Sequence, residues 1–197
     1  MRDNKIMYSI VKRVFDIIFA VFVLIFTSPL ILIFIAAIKL ESKGSAIYKQ
    51  VRVGKFGKEF YLYKLRSMYI DAEKEGPKMA DKNDSRITRV GRIIRKRRID
   101  ELPQMINILK GDMSLIGPRP ERPYFTYIFC KKIPEFESRL QAKCGITGWA
   151  QVNGGYDLTP TEKLSYDLYY IKNRSLYLDF IIIIKTVMVV LRGENEN

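Results

Sequence analysis

The chain has 197 residues, with 34 lysines and arginines against 21 aspartates and glutamates, for a formal net charge of +13. It contains no histidine, which excludes Ser-His-Asp and Cys-His catalysis, histidine general bases and histidine-ligated metal sites. The two cysteines, Cys130 and Cys144, are too few for a disulfide framework and favour a reducing compartment.

The excess positive charge predicts an anionic partner, and the first 40 residues point to a membrane. Residues 14–38 form an apolar run of 25 residues in which Asp16 is the only charge. As a helix the run would measure about 37 Å, enough for a bilayer core. Ser28 and Pro29 interrupt it, and we expect the proline to kink or break the helix.

Basic residues flank the apolar run on both sides, so the positive-inside rule places both ends at the cytoplasmic face. Two arrangements fit the sequence: a bent helix that enters and leaves by one face, and a single kinked span. Asp16 would share a helix face with Lys12 and Arg13, which predicts an ion pair at the membrane surface.

A β-hairpin is predicted for residues 46–66, because two β-rich runs flank a loop of four residues, 54–57. Lys64 and Arg66 close its second strand. The polar residues 71–85, which include Gly76 and Pro77, predict a mobile surface loop.

The most informative passage begins with six basic residues between positions 89 and 98, which end next to Asp100 and Glu101. A solvated basic helix face is the usual explanation for such a run. Asp100 has the position of a helix N-cap, with Pro103 in the first turn and Gly111 as the stop. Adjacent carboxylates among arginines are also what a Mg²⁺-assisted phosphate site requires.

Two prolines then enclose Arg119 in the sequence Gly-Pro-Arg-Pro, residues 117–120. They restrict the backbone, so the guanidinium can be presented to a phosphate with little entropy left to lose. A plain tight turn would explain the same residues.

These residues resemble the small monotopic phosphoglycosyl transferases, the bacterial sugar transferase family that starts polyprenyl-linked glycan assembly. The matches are ordered and run nearly end to end. Besides the Ser28-Pro29 break, they cover residues 12–16, 64–68, 100–104, 109–114, 117–120, 145–154 and 167–170.

The resemblance implies a re-entrant membrane helix over residues 1–40, broken at Ser28 and Pro29, and a membrane-associated catalytic domain over residues 41–197. Both termini and this domain would lie on the cytoplasmic face of the bacterial inner membrane. We therefore predict an α+β fold, mainly helical, with one small hairpin and amphipathic interfacial helices. Residues 176–191 fit an interfacial or core helix, because the run is too short to span a bilayer.

The resemblance also implies the chemistry. Asp100 would attack the β-phosphate of a UDP-sugar and expel UMP, and the phosphosugar would then pass to undecaprenyl phosphate. Asp100 and Glu101 would hold Mg²⁺, or Glu101 would activate the acceptor. Arg95 and Arg119 match phosphate-contacting positions. Lys64 and Asp167 match positions near the site, and the resemblance implies that they bind the substrate or its phosphates as well.

The partners implied are a UDP-sugar, undecaprenyl phosphate, membrane lipids and downstream glycosyltransferases, with no nucleic acid. Galactose, glucose, N-acetylgalactosamine and bacillosamine-type donors all fit. Capsule, exopolysaccharide, O-antigen and glycoprotein glycan pathways all fit as well.

The chain departs from the family pattern at Cys144, where many members have proline, and at Gly155, where many have arginine. We expect Cys144 to be a small buried substitute, and the missing arginine leaves contacts of that loop with the nucleotide or sugar open. Trp149 is expected to be an interface anchor or core residue rather than a base-stacking platform.

Two other classes of function are compatible with parts of the sequence. A membrane-tethered polyanion-binding protein would explain the arginines, but the basic run ends in carboxylates that would repel a phosphate backbone. A non-catalytic scaffold of the same family would not need the intact Asp100-Glu101 pair.

Overall fold

The chain folds around a long N-terminal helix, on which short helices and two small sheets are assembled. The computed structural model describes residues 2–74, 76–78, 84–154 and 158–192. The helices are α1 (Arg2–Glu41), α2 (Arg89–Lys96), α3 (Met105–Lys110), α4 (Pro123–Lys132), α5 (Trp149–Asn153), α6 (Pro160–Asn173) and α7 (Leu176–Arg192). The strands are β1 (Ile47–Val53), β2 (Glu59–Leu65), β3 (Ser114–Ile116) and β4 (Gly145–Thr147), and 3₁₀ helices cover Lys55–Gly57, Ile99–Gln104 and Pro134–Gln141. The mainly helical class predicted from the sequence is confirmed.

Helix α1 carries the apolar run. Its segment Ile6–Glu41 is long and apolar enough to cross a membrane, with a mean hydropathy of 2.9 over its most apolar stretch. The helix continues through Ser28 and Pro29, so the proline does not end it. Pro29 has no N–H to donate to the carbonyl of Ile25, and the Ser28 hydroxyl donates to that oxygen instead, at 2.9 Å. A bend of the axis and a re-entrant course stay predictions.

Residues of α1 on both sides of Pro29 pack against the rest of the protein. Before the proline, Ala20 lies in one hydrophobic cluster with residues of α3, β3 and α7. After the proline, Ile38 lies in a second cluster with Leu65 and Ile94. The long helix is therefore part of both hydrophobic cores.

The predicted ion pair between Asp16 and its helix neighbours was wrong, because each of the three side chains bonds to a different element. The Asp16 carboxylate accepts a hydrogen bond from the buried backbone N–H of Leu115 in β3, at 3.0 Å. Lys12 pairs with Asp179 of α7, with Nζ 2.9 Å from the carboxylate. Arg13 donates to the carbonyls of Ile108 and Leu109 at the end of α3. These polar groups join the apolar helix α1 to the body of the protein.

The predicted hairpin is confirmed. Strands β1 and β2 are antiparallel, with Tyr48 opposite Lys64, and the chain reverses over residues 54–58. The sequence did not predict the second sheet, a parallel pair of β3 and β4 in which Ser114 lies opposite Gly145. The predicted loop 71–85 is described only in part, with a turn over residues 70–74.

Helix α2 is fastened to α1 at its N-terminus. The Glu41 carboxylate at the end of α1 accepts hydrogen bonds from the backbone N–H groups of Arg89 and Val90, at 2.7 and 3.1 Å. Thr88 is the N-cap and accepts from Gly91 at 2.9 Å. Since acceptors at a helix N-terminus satisfy its free donors, α1 fixes the direction of the helix that carries Arg95.

Candidate active site

The two adjacent carboxylates lie on the 3₁₀ helix Ile99–Gln104, which follows a sharp turn. Arg98 has left-handed backbone angles (φ 53°, ψ 21°), so the chain changes direction between α2 and this helix. Asp100 and Glu101 are each only 6% exposed. Asp100 is thus inside a 3₁₀ helix and is not the N-cap that the sequence predicted. The predicted stop is confirmed, since Gly111 ends α3 with φ of 88°.

Glu101 is the more tightly held of the two carboxylates. Its Oε1 lies 2.6 Å from NH2 of Arg119 and 3.0 Å from Nζ of Lys64. Its Oε2 lies 3.9 Å from a guanidinium nitrogen of Arg98. Asp100 lies at longer range, with Oδ2 3.6 Å from Nζ of Lys64. Lys64 therefore contacts both carboxylates.

These surroundings move the two pKa values in opposite directions. Burial raises the pKa of Asp100 above its ordinary value, and Lys64, Arg95 and Arg119 only partly oppose this. Burial also acts to raise the pKa of Glu101, but the close charges of Arg119 and Lys64 outweigh it and hold that pKa well below its usual range. Glu101 is a fixed anion, whereas Asp100 is the more basic carboxylate.

A cavity of about 1170 Å³ opens beside the two carboxylates. Five residues predicted from the sequence line it: Lys64, Arg95, Asp100, Glu101 and Arg119. Aromatic residues also line the cavity, including Tyr48, Phe125 and Phe129. A cavity with cations around two carboxylates and aromatic walls suits a phosphorylated organic substrate.

The Gly-Pro-Arg-Pro segment that presents Arg119 is held along its backbone. Pro118 and Pro120 have no N–H, yet every carbonyl from Pro118 to Glu121 accepts a hydrogen bond from another element. The donors are Gly145 N to Pro118 (3.0 Å), Arg139 NH2 to Arg119 (2.9 Å), Arg52 NH1 to Pro120 (2.8 Å) and Val53 N to Glu121 (2.9 Å). The rigid presentation predicted for Arg119 therefore has a structural basis.

The structure does not bring Asp167 to the cavity with the other predicted residues. Its side chain is 1% exposed and is absent from the described lining. Oδ2 of Asp167 accepts from Nε of Arg139 at 2.8 Å and lies 2.6 Å from NH2. Burial raises the pKa of Asp167, and Arg139 opposes that shift. A direct contact between Asp167 and substrate stays a prediction.

Sequence reasoning missed three residues of this region: Arg52, Arg139 and Gln151. Arg52 lines the cavity, and burial lowers the pKa of its guanidinium to about 10. Gln151 also lines the cavity, and among the described residues neither of its amide atoms has a hydrogen-bond partner. Gln151 lies in a matched motif and Arg52 flanks the apolar run, but no local pattern marks Arg139.

Four carboxylates line the cavity, those of Glu73, Asp100, Glu101 and Glu121, and Asp100 and Glu101 are the pair adjacent in the sequence. The described residues contain no group of three or more acidic or cysteine side chains that would form a complete protein cage. Mg²⁺ is commonly held by one or two carboxylates, with substrate phosphates and water completing its coordination. Asp100 and Glu101 fit that mode of binding, because they are adjacent and border a basic cavity.

The departures from the family pattern have different outcomes. Cys144 is buried, as predicted, and burial raises the pKa of its thiol to about 12. Gly155 lies outside the described residues. Trp149 packs against the first hydrophobic cluster and stacks on Tyr169, with ring centroids 5.6 Å apart, so the predicted core role is confirmed. Lys185 lies over the same indole, 4.8 Å from the ring.

Comparison with known proteins identifies the family. The family model described as bacterial sugar transferase matches residues 7–193. The chain belongs to the bacterial sugar transferase family.

Three relatives illustrate the similarity. An Aeromonas hydrophila protein named UDP-N-acetylgalactosamine-undecaprenyl-phosphate N-acetylgalactosaminephosphotransferase is 49% identical over 189 residues, which are 94% of this chain and 45% of that protein. A Bacillus subtilis (strain 168) protein is 59% identical over 140 residues, 71% of this chain and 78% of that protein. Its provisional name is undecaprenyl-phosphate N-acetylgalactosaminyl 1-phosphate transferase. The UDP-glucose:undecaprenyl-phosphate glucose-1-phosphate transferase of Caulobacter vibrioides is 41% identical over 189 residues, 93% of this chain and 71% of that protein. The chain thus spans less than half of the Aeromonas relative and most of the other two.

Proposed function

We propose that this protein transfers a sugar 1-phosphate from a UDP-sugar to undecaprenyl phosphate, the initiating step of a membrane-linked glycan. The observation that carries the proposal is the buried Asp100-Glu101 pair, held by Lys64 and Arg119 beside a cavity of about 1170 Å³. The names of the family relatives describe the same transfer for those proteins.

The reaction proceeds in two displacements at one phosphorus atom. A carboxylate oxygen of Asp100 attacks the β-phosphorus of the donor, and the bond to UMP breaks, so UMP leaves with the electron pair. An oxygen of undecaprenyl phosphate then attacks the same phosphorus, and the bond to Asp100 breaks. The products are UMP and undecaprenyl diphosphate sugar, and Asp100 is restored as a carboxylate.

The assignment of roles follows from the contacts of the two carboxylates. The Oε1 of Glu101 is already bound by Arg119 and Lys64, which lowers its nucleophilicity. Asp100 has a raised pKa and a longer contact to Lys64, so it is the better nucleophile. Lys64, Arg95 and Arg119 are placed to meet the negative charge that develops on the phosphoryl oxygens.

Asp100 and Glu101 would hold Mg²⁺, which would neutralise phosphate charge when bound. Chelation with EDTA should abolish UMP release and added Mg²⁺ should restore it. Unchanged turnover in EDTA would contradict this part of the proposal.

The donor proposed first is UDP-N-acetylgalactosamine. Two relatives, at 49% and 59% identity, are named for N-acetylgalactosamine. The relatives named for glucose have 38–41% identity, and one named for galactose has 40%.

The test is nucleotide release by nanodisc-embedded protein with undecaprenyl phosphate, Mg²⁺ and a panel of UDP-sugars. We expect UMP with one donor, and none from Asp100→Asn. The matched control is Asp84→Asn, which alters a carboxylate bound by Arg86 that is absent from the described lining of the cavity. Release of UDP would indicate direct glycosyl transfer, and UMP release by Asp100→Asn would contradict the covalent route.

For the membrane we propose that α1 is re-entrant and that the globular part lies on the cytoplasmic face of the inner membrane. Ala20 and Ile38, on opposite sides of Pro29, both contact the globular part. In a straight span these two positions would lie about 27 Å apart along the helix axis. This distance is close to the thickness of a hydrocarbon core, so the two positions would lie near opposite faces of the bilayer.

This course can be tested with single cysteines at the exposed positions Ile10 and Leu40, in a chain with Cys130→Ser. An impermeant maleimide should label both from the cytoplasmic side of vesicles. Labelling from opposite sides would show a single span. Buried Cys144 serves as the internal control for an intact fold.

A further inference from the structure

The buried ion pair between Arg139 and Asp167 ends at the backbone of a residue in the active site. The Arg139 guanidinium binds Asp167 through Nε and NH2, and its NH2 also donates to the carbonyl of Arg119 at 2.9 Å. Arg119 in turn donates to Oε1 of Glu101 at 2.6 Å. One chain of contacts therefore runs from α6 to the catalytic carboxylates.

We propose that Asp167 and Arg139 are positioning residues for the proposed transfer, which orient Arg119 and do not touch the substrate themselves. This inference rests on the proposed function. It replaces the direct substrate contact that the family resemblance implied for Asp167 with an action through two other residues.

Burial argues against direct contact. Asp167 is 1% exposed and Arg139 is 2% exposed, and neither is among the described residues that line the cavity. The oxygen of Asp167 that binds Arg139 takes two of its guanidinium nitrogens. A substrate would have to displace this pair to reach the carboxylate.

Stability alone does not account for the pair. The desolvation of two buried charges offsets most of their attraction, so such pairs are weak evidence for net stabilisation. The geometry offers a specific use. Pro118 and Pro120 supply no backbone N–H donors to their segment. The planar guanidinium of Arg139 can donate to Asp167 and to the Arg119 carbonyl at the same time.

A second carboxylate near Arg139, that of Glu121, also supports a positioning role for Arg139. The Glu121 carboxylate lies 3.8 Å from NH1 of Arg139 and 2.9 Å from Nζ of Lys163. Glu121 directly follows the Gly-Pro-Arg-Pro segment, so Arg139 contacts this stretch of chain at two points, through the backbone oxygen of Arg119 and through the side chain of Glu121. Lys163 and Asp167 both lie on α6, which becomes the support for the segment.

The first test does not depend on turnover. In the full chain labelled with ¹⁵N-arginine and held in detergent micelles, the Nε–H signal of Arg119 is assigned by its loss in Arg119→Lys. We expect Asp167→Asn to displace this signal. Asp84→Asn, which alters a carboxylate bound by Arg86 outside the described cavity lining, should leave it in place. An unmoved Arg119 signal in Asp167→Asn would overturn the proposal.

The second test is kinetic. We expect Asp167→Asn and Arg139→Lys to lower kcat for UMP release roughly 10- to 100-fold, because small displacements of a group that acts in the transition state have effects of that size. The KM for the donor should change less than about threefold, since substrate does not touch either residue. A large rise in KM with unchanged kcat would show direct binding and contradict positioning.

A double-mutant cycle separates positioning from general structural damage. In the Arg119→Lys background, Asp167→Asn should cost less than about threefold further, because its effect passes through Arg119. Fully additive losses would contradict the proposal. If the unaltered protein releases no UMP while the Arg119 signal still responds to Asp167→Asn, the proposed function fails and the positioning stands.

Discussion

Arg119 donates a 2.6 Å hydrogen bond to Glu101 from 18 positions further along the chain. The same carboxylate oxygen receives Lys64 at 3.0 Å, so Glu101 is fixed by two cations from two different elements. Asp100, its neighbour in sequence, has the longer of the two Lys64 contacts, with Oδ2 3.6 Å from Nζ. Two adjacent carboxylates thus have different electrostatic environments, because the folded chain surrounds one of them more closely with positive charge.

This asymmetry predicts opposite effects of neutralising the two carboxylates on stability. Glu101→Gln should lower the free energy of unfolding at pH 7 by about 3 kcal/mol, because it removes the buried carboxylate charge that pairs with Lys64 and Arg119. Asp100→Asn should raise it by about 1 kcal/mol, because it removes a charge that burial disfavours. Thermal unfolding in the same detergent measures both.

The contributions of Glu101 and Asp100 to the free energy of unfolding depend on pH in opposite directions. The pKa of Glu101 is lowered, so its contribution is present above about pH 4.5, its ordinary pKa, and is lost as the pH falls through the lower folded value. The pKa of Asp100 is raised, so the stability contributed by its protonated form is lost as the pH rises through the pKa of Asp100 in the folded protein. Equal effects of the two substitutions at pH 7 would contradict the asymmetry.

The raised pKa of Asp100 also predicts the acid limb of activity. Attack requires the ionised carboxylate, so UMP release should fall at a higher pH than the ordinary aspartate value of 3.8 would give. Arg95 acts to lower this pKa, and Arg95→Gln should therefore move the limb further toward neutral pH. The first-turnover rate of UMP release against pH is the measurement. A limb that moves to lower pH in Arg95→Gln would contradict the assignment.

Gly91→Ala is expected to destabilise the protein, although alanine normally favours a helix by about 1 kcal/mol. A Cβ at Gly91 would lie 2.0 Å from the backbone carbonyl oxygen of Ser67, so α2 would have to shift. Since α2 carries Arg95, activity should fall together with the melting temperature. Gly57→Ala is the control, because a Cβ there meets nothing within 4 Å and only its φ of +77° is strained.

Asp16→Ala should destabilise the protein by about 2 kcal/mol, because it leaves the buried N–H of Leu115 unpaired. Asp16→Asn keeps an acceptor oxygen and should recover most of the loss. Denaturant unfolding followed by the fluorescence of Trp149, the single tryptophan, provides the comparison. If the two variants unfold alike, the hydrogen bond to β3 contributes little.

The local patterns of the sequence predicted the elements that local forces determine. The hairpin follows from two β-rich runs around a glycine-containing loop, and the end of α3 follows from Gly111. Four cavity residues, Lys64, Asp100, Glu101 and Arg119, could be named because they lie in motifs quoted for the family, and Arg95 because it lies in the basic run that precedes the two carboxylates. The N-cap assignment for Asp100 was wrong because the left-handed turn at Arg98 starts a 3₁₀ helix first.

Long-range pairing explains what the sequence could not predict. Strands β3 and β4 have three residues each, too few for a periodic signal, and they pair across about 30 positions. The contact of Arg139 with Asp167 spans 28 positions and has no signature in either local sequence. Asp16 was assigned to neighbours on its own helix, whereas its partner lies 99 positions away.

Because α1 contributes to both hydrophobic clusters, the rest of the protein should not fold without it. A fragment that begins after Glu41 would lose the α1 residues of both cores, among them Ala20 and Ile38, together with the acceptor for Leu115 and the acceptor at the N-terminus of α2. Such a fragment should be degraded or aggregate, so cleavage after α1 would not free an active enzyme into the cytosol. Membrane attachment and catalytic activity should therefore be lost together when α1 is removed, because both depend on one folding unit.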